Sequence, residues 1–233
     1  MKIELCAASV DALHIVKELA IDRIELCQNL EQGGTTPSFG LIELALSKEL
    51  EVHVLIRPRA GGFVYSEEEI KVMLNDIEVC RTRGVKGVVI GALNTNSQID
   101  TNTVLRMKEA AKEMQVTFHR AFDDSFNWRN SMEFLIDSGI NRILTAGLSS
   151  SVDLGIPTLT EMMHYANKRI EIMVGGGVNL GNINRIVSEV QPDAIHFSGT
   201  SKVLLDEQSN FSESILQIDR SKVEKLIQSI RGR

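Results

Sequence analysis

Short β-rich runs alternate with amphipathic runs along the whole chain, and this alternation most narrows what the chain can fold into. The candidate strands are 2–6 (Lys-Ile-Glu-Leu-Cys), 23–27 (Arg-Ile-Glu-Leu-Cys), 52–57 (Val-His-Val-Leu-Ile-Arg) and 86–91 (Lys-Gly-Val-Val-Ile-Gly). The other four are 116–119 (Val-Thr-Phe-His), 142–145 (Arg-Ile-Leu-Thr), 170–174 (Ile-Glu-Ile-Met-Val) and 194–198 (Ala-Ile-His-Phe-Ser). A helical pattern follows each. The clearest covers 67–83, with Ile70, Leu74, Ile77 and Val79 apolar and Gly84 as its stop. Ser66 and Glu69 have capping-box spacing at its start, and Thr158 with Glu161 have the same spacing further on. Gly139 closes a helix that carries Met132, Leu135 and Ile136.

Eight strand–helix units in 233 residues predict an α/β fold, the (β/α)8 TIM barrel with eight parallel strands alternating with helices. An open doubly wound sheet would want a Gly-rich turn after the first strand, where this chain has Ala7-Ala8-Ser9. No linker or composition break divides the sequence. Residues 1–233 therefore read as one barrel domain, with a less regular segment near 200–212. That segment follows the eighth strand, where barrel loops carry function.

Alternation along each strand predicts which side chains enter the barrel, because the outward face packs on helices and is apolar. Ile3, Leu5, Ile24, Leu26, Val52, Val54, Ile56, Val116, Phe118, Ile195 and Phe197 take the outward face. Glu4, Cys6, Glu25, Cys27, His53, Leu55, Arg57, Thr117, His119, His196 and Ser198 then point inward. An ordinary barrel interior is Val, Ile and Leu. Glu4, Glu25, Arg57, His119 and His196 are ionisable, and burying charge is costly unless it is paired. They read either as an internal ion-pair network or as a site at the C-terminal face, with Glu4, Glu25 and His119 as candidates for general acid–base chemistry.

The loops at that face add candidate ligands. Arg57 and Arg59 flank Pro58 ahead of Gly61-Gly62, and Arg120 follows His119. Guanidinium forks suit carboxylate or phosphate. Asp123 either orients these cations or caps the next helix. Gly175-Gly176-Gly177 after strand seven and Ser198-Gly199 after strand eight occupy the places where barrels often bind phosphate through backbone N–H groups.

Ile-Glu-Leu-Cys occurs twice, at 3–6 and 24–27. On neighbouring strands at one level, Cys6 and Cys27 would have Cα atoms roughly 5 Å apart. Two thiolates so placed suit a soft ion such as copper(I); two small buried apolar groups are the plainer outcome. Cys80 reads as helix core. Three cysteines do not make a disulfide framework.

Composition excludes several partners. Twenty-five basic against 31 acidic residues give a net charge of −6, without the basic excess of a nucleic-acid or anionic-membrane binder. Aromatics are 5%, too few for a base-stacking platform. No apolar run approaches the about 20 residues that span a bilayer, and Glu4 interrupts any signal-like start. The expectation is a cytoplasmic protein with no nucleic-acid or membrane partner and no organic cofactor.

Several blocks together resemble the CutC copper-homeostasis family. They are Arg23-Ile-Glu-Leu-Cys27 with Gly33-Gly-Thr-Thr-Pro-Ser38, then Ile56-Arg-Pro-Arg59 with Gly61-Gly-Phe63 and Tyr65. They continue with Thr117-Phe-His-Arg-Ala-Phe-Asp123, Arg142-Ile-Leu-Thr145 with Gly147, Gly175-Gly-Gly-Val178, and His196-Phe-Ser198. The resemblance runs over roughly residues 2–200. It implies a cytoplasmic parallel barrel, often a homo-oligomer, linked to copper handling, with binding cysteines at Cys6 and Cys27. Three readings stand at this point: a copper(I) binder, an enzyme acting on a small phosphorylated or carboxylated metabolite, and a non-catalytic binding barrel.

Overall fold

The eight expected strands form, each within two residues of its expected bounds. In a computed structural model that describes residues 1–204 and 214–232, they are β1 (Lys2–Ala7), β2 (Arg23–Leu26), β3 (Val52–Leu55), β4 (Gly87–Ile90), β5 (Gln115–Phe118), β6 (Arg142–Thr145), β7 (Glu171–Val174) and β8 (Ala194–Phe197). They pair in chain order, all parallel, and β8 closes onto β1. The intervening helices are α1 (Val10–Glu18), α2 (Phe39–Ser47), α3 (Glu67–Thr82), α4 (Thr101–Ala111), α5 (Trp128–Asp137), α6 (Val152–Ala166), α7 (Ile183–Arg185, continued by a π-helical turn over Ile186–Val190) and α8 (Arg220–Arg231).

The sheet separates two apolar environments. Ile3, Leu5, Ile24, Leu26, Val52, Val54, Val116, Phe118, Ile195 and Phe197 join one large cluster with helix residues such as Leu13, Ile42, Met73 and Leu135. Inside the barrel lie two small separate clusters. Cys6, Cys27, Leu55 and Val89 form one, and Leu144, Met173 and Ala194 the other. The rest of the interior is polar.

Local signals set most helix ends. Ser66 accepts the Glu69 N–H at 3.2 Å while the Glu69 carboxylate accepts the Ser66 N–H at 2.7 Å, so the first capping box forms. Two expectations need correction. Thr158 and Glu161 start nothing: they lie inside α6, which begins six residues earlier behind Ser151. Gly155 brings α6 so close to the end of β6 that a Cβ there would sit 1.7 Å from the Ala146 carbonyl oxygen, and this contact overrides the local capping pattern. Val79 is 40% exposed; α3 buries Ile70, Met73, Ile77 and Cys80 instead.

The register also departs from expectation. Cys6 lies opposite Glu25, and Glu4 opposite Arg23. The two Glu-x-Cys pairs are therefore offset by two residues rather than level, because strand stagger is what closes a tilted barrel.

Part of the segment expected to be irregular is regular. Thr200–Leu204 (β9) and Ser214–Ile218 (β10) make an antiparallel ribbon; residues 205–212 lie outside the described residues. The Leu216 N–H donates to Glu31 at 2.9 Å, which ties the ribbon to the short turn Leu30–Gln32 after β2. Among the described residues no helix is long and apolar enough to cross a membrane.

The contact at Gly155 gives a test. Alanine is the better helix former, yet Gly155→Ala is expected to lose about 3 kcal/mol through overpacking. Thermal unfolding checks this; an unchanged Tm would show that α6 can move off β6.

Candidate functional site

The barrel floor is built from the first inward residue of several strands. Arg23 and Arg142 are each 1% exposed. Arg23 Nε donates to the fully buried Glu4 carboxylate, and its Nη2 reaches Glu171 at 3.4 Å. Arg142 grips Glu171 with two N–H groups at 2.6 and 3.0 Å, and donates to Thr117 at 2.9 Å and Gln115 at 3.0 Å. Parity places Arg23, Arg142 and Glu171 inward too, at the first residue of β2, β6 and β7, below the residues expected to line the site. These three make the floor an ion network.

Glu4 joins this floor to the mouth. Its second oxygen meets His196 Nδ1 at 2.8 Å. Burial pushes the Glu4 carboxyl up, but the His196 hydrogen bond and the Arg23 charge outweigh it and hold the group far below the usual carboxylate range. Burial likewise works against a charged His196, yet Cys6 and Glu4 beside it keep it well above the ordinary histidine value. Glu25 goes the other way. Burial raises its carboxyl more than the His196 charge lowers it, and one of its oxygens has no partner.

Above this chain sits a cavity of about 360 Å³. Cys6, Glu25, Arg57, Phe63, His119 and His196 line part of it. Cys6 Sγ lies 3.4 Å from Cys27 Sγ and 3.6 Å from Glu25 Oε1. Cys27 is fully buried behind Cys6. The Cys27 contact and burial hold the Cys6 thiol well above the ordinary value. Two sets of ligand atoms gather within 4.8 Å of one another: Cys6, Glu25 and Cys27, and Glu4, Glu25 and His196. His119 Nδ1 accepts the Ala121 N–H at 3.1 Å, so the ring proton sits on Nε2, which is buried and unpartnered. Burial and then the Arg57 charge push His119 down to about 3, so it is neutral at physiological pH. Glycines make room for the inward histidines: a Cβ on Gly87 would come within 2.6 Å of the His53 ring, and one on Gly91 within 2.3 Å of the His119 ring.

The loop residues divide into those that reach the cavity and those that do not. Arg57 reaches it, but its guanidinium is engaged with three carbonyls, of Gln32 at 3.1 Å, Gly34 at 2.7 Å and Gly61 at 2.6 Å. Arg59 does not. It pairs with Glu69 and with the carbonyls of Ala60, Gly62 and Val64, so it holds its own loop in shape. Arg120 lines the cavity while its Nε is held by Asp123 at 2.8 Å and its Nη2 by the Ser149 carbonyl at 2.8 Å. Asp123 caps no helix. It also accepts from Thr145, Ala146 and Leu148, fixing the loop after β6 against Arg120. Gly176, Gly177 and Ser198 line the cavity. Gly175 and Gly199 do not. The Gly175 N–H is spent on the Thr145 carbonyl at 3.1 Å, and Gly199 turns at φ +60 where a Cβ would meet Val223 of α8 at 2.4 Å.

The sequence profile of the CutC family matches residues 1–201. The chain belongs to the CutC family. A CutC protein of Bacteroides fragilis is 44% identical over 204 residues, covering 86% of this chain and 80% of that protein. A CutC protein of Glaesserella parasuis is 41% identical over 213 residues, covering 90% of this chain and 88% of that protein. Among solved structures, CutC of Streptococcus agalactiae, provisionally named a copper homeostasis protein, superposes with a TM-score of 0.79 at 36% identity. The match covers 84% of this chain and 97% of that one.

Glu4 and Glu25 shift in opposite directions, so their effects on stability have opposite pH dependence. Glu4, lowered from 4.5, stabilises the fold above about pH 4.5, and that stability is lost as the pH falls further. Glu25, raised from 4.5, disfavours the fold progressively as the pH rises above 4.5. At pH 7, Glu25→Gln should therefore be at least as stable as the parent. Glu4→Gln should lose about 3 kcal/mol, because Arg23 and His196 would remain buried without their carboxylate. Urea unfolding at the two pH values checks both; equal losses for the two variants would contradict the assignment.

Proposed function

We propose that this protein binds copper(I) through Cys6 and Cys27 at the mouth of the barrel and takes part in copper homeostasis. The observation that carries the reading is the 3.4 Å approach of the two sulfurs at the edge of a cavity. Thiolate sulfur is the donor that copper(I) selects. Cys6 lines the cavity and Cys27 lies behind it, so an ion would meet Cys6 first. The name of the Streptococcus agalactiae relative, and the position of both cysteines within the matched residues 1–201, support the same reading.

The second ligand set is less suited to a metal. Glu4 is already committed to Arg23 and His196, and one ring nitrogen of His196 is committed to Glu4. An ion there would have to break the link between floor and mouth. At the thiol pair an ion displaces the thiol protons and, with them, the weak Cys6 contact to Glu25. The Cys27 contact and burial hold the Cys6 thiol up, and the His196 hydrogen bond offsets only part of that, so the ion itself has to displace the thiol protons. A thiol pair used in this way has to stay reduced, which is the condition of the cytoplasm.

Titration of copper(I) against a chromophoric chelator under reducing conditions tests the proposal. The parent should compete for one ion per chain, and Cys6→Ser with Cys27→Ser should not compete. Because binding releases thiol protons, the parent's affinity should rise from about pH 6 to about pH 8. A double-serine variant that kept the parent's affinity would overturn the assignment.

A further inference from the structure

Arg57 carries a positive charge that the protein leaves unbalanced. The residue is 6% exposed, and its partners are carbonyl oxygens. Among the described residues it forms no ion pair with a carboxylate. Carbonyls solvate a guanidinium but do not neutralise it, and an uncompensated buried charge is costly. The Arg57 guanidinium also acts on the Tyr65 hydroxyl, a neutral partner, and the His119 Nε2–H is buried without a partner among the described residues. Arg57 and His119 line the same cavity, and Phe63 contacts both, with its ring 5.3 Å from the Arg57 guanidinium and 4.9 Å from the His119 ring.

Another part of the wall is made of backbone donors. Gly176, Gly177 and Ser198 line it, and among the described residues their N–H groups meet no protein acceptor. Gly176 and Gly177 take φ values of +107 and +88. Successive N–H groups in such a turn form a concavity for an anion. Glycine is required at 176 for a second reason: a Cβ there would lie 2.9 Å from Arg120 Cζ, so only bare backbone lets the guanidinium come this close. Arg120 uses Nε and Nη2 within the protein, which leaves Nη1 without a partner among the described residues.

We propose that the cavity binds a small phosphate monoester, its phosphate on the N–H groups of Gly176 and Gly177 with Arg120, in a cavity that Arg57 also lines. A phosphate dianion offers three terminal oxygens and two charges, which match several N–H donors and cationic groups better than a carboxylate does. The volume of about 360 Å³ is at the small end of ligand cavities, the size for a triose or pentose phosphate. Cys6 lines the same cavity, but none of the donors assigned to the phosphate is a thiol, so phosphate and copper(I) would use different groups.

Calorimetric titration of the full chain in a metal-chelating buffer tests it, with ribose 5-phosphate, inorganic phosphate and ribose as probes. Ribose 5-phosphate should bind saturably at one per chain, inorganic phosphate more weakly, and ribose not at all. Arg120→Met should weaken ribose 5-phosphate roughly tenfold or more, as expected for a lost charge-assisted contact. Because Arg120 also pins the loop after β6, Ser198→Glu provides a second variant, which sets a carboxylate at the cavity wall and should abolish binding. No saturable binding of either phosphate by the parent would overturn the proposal. So would ribose binding as tightly as ribose 5-phosphate, or parental affinity in Arg120→Met and Ser198→Glu variants that keep their circular dichroism spectrum.

Discussion

The fully buried Glu4 carboxylate, shared between Arg23 and His196, is the contact on which the rest of the barrel interior depends. A barrel of this size fills its centre with aliphatic side chains when stability alone is served. Here Glu4 lets the interior hold charge instead. On the floor side it balances Arg23, which with Arg142 and Glu171 forms a continuous network. On the mouth side it acts with Cys6 to hold His196 well above the ordinary histidine value. Burial shifts the nearby Glu25 carboxyl upward, the other way from Glu4.

That division gives the two ends of the interior different chemistry. The floor is tied together by the Arg23, Glu4, Glu171 and Arg142 pairs, although Arg23 Nη1 is left without a hydrogen-bond partner among the described residues. The mouth keeps buried polar atoms without a hydrogen-bond partner among the described residues, at Glu25 Oε2, Arg57 Nε and His119 Nε2. Unpartnered buried polar groups destabilise a fold, and their concentration around one cavity is what a binding site requires. The thiol pair and the N–H groups of Gly176 and Gly177 share this cavity wall, so a soft cation and an anion would be held by different parts of one site.

Much of this was legible in the sequence. Strand–helix alternation specified the barrel, and two-residue parity placed Glu4, Cys6, Glu25, Cys27, Arg57, His119 and His196 inside, because the helix-packed face of each strand has to be apolar. Register was not legible: strand stagger belongs to barrel closure and leaves no local mark, so Cys6 lies opposite Glu25. Nor does residue type show where a guanidinium spends its donors. Arg57 and Arg59 occupy one short motif, yet one lines the cavity and the other is tied to its own loop. Gly175 and Gly199 resemble the cavity-lining Gly176 and Gly177 in sequence, but strand pairing and the packing of α8 account for them. The floor arginines could have been found by carrying parity to the first residue of β2 and β6.

The most direct test of the central claim, that the mouth of this barrel holds copper(I) between two staggered thiols, is a structure of the copper(I)-loaded protein grown under reducing conditions, with data collected at the copper absorption edge. The account predicts a single anomalous peak bonded to both Cys6 Sγ and Cys27 Sγ, with the contact between Glu4 and His196 intact. A peak at Glu4 and His196, or on the surface with the thiols unliganded, would contradict it.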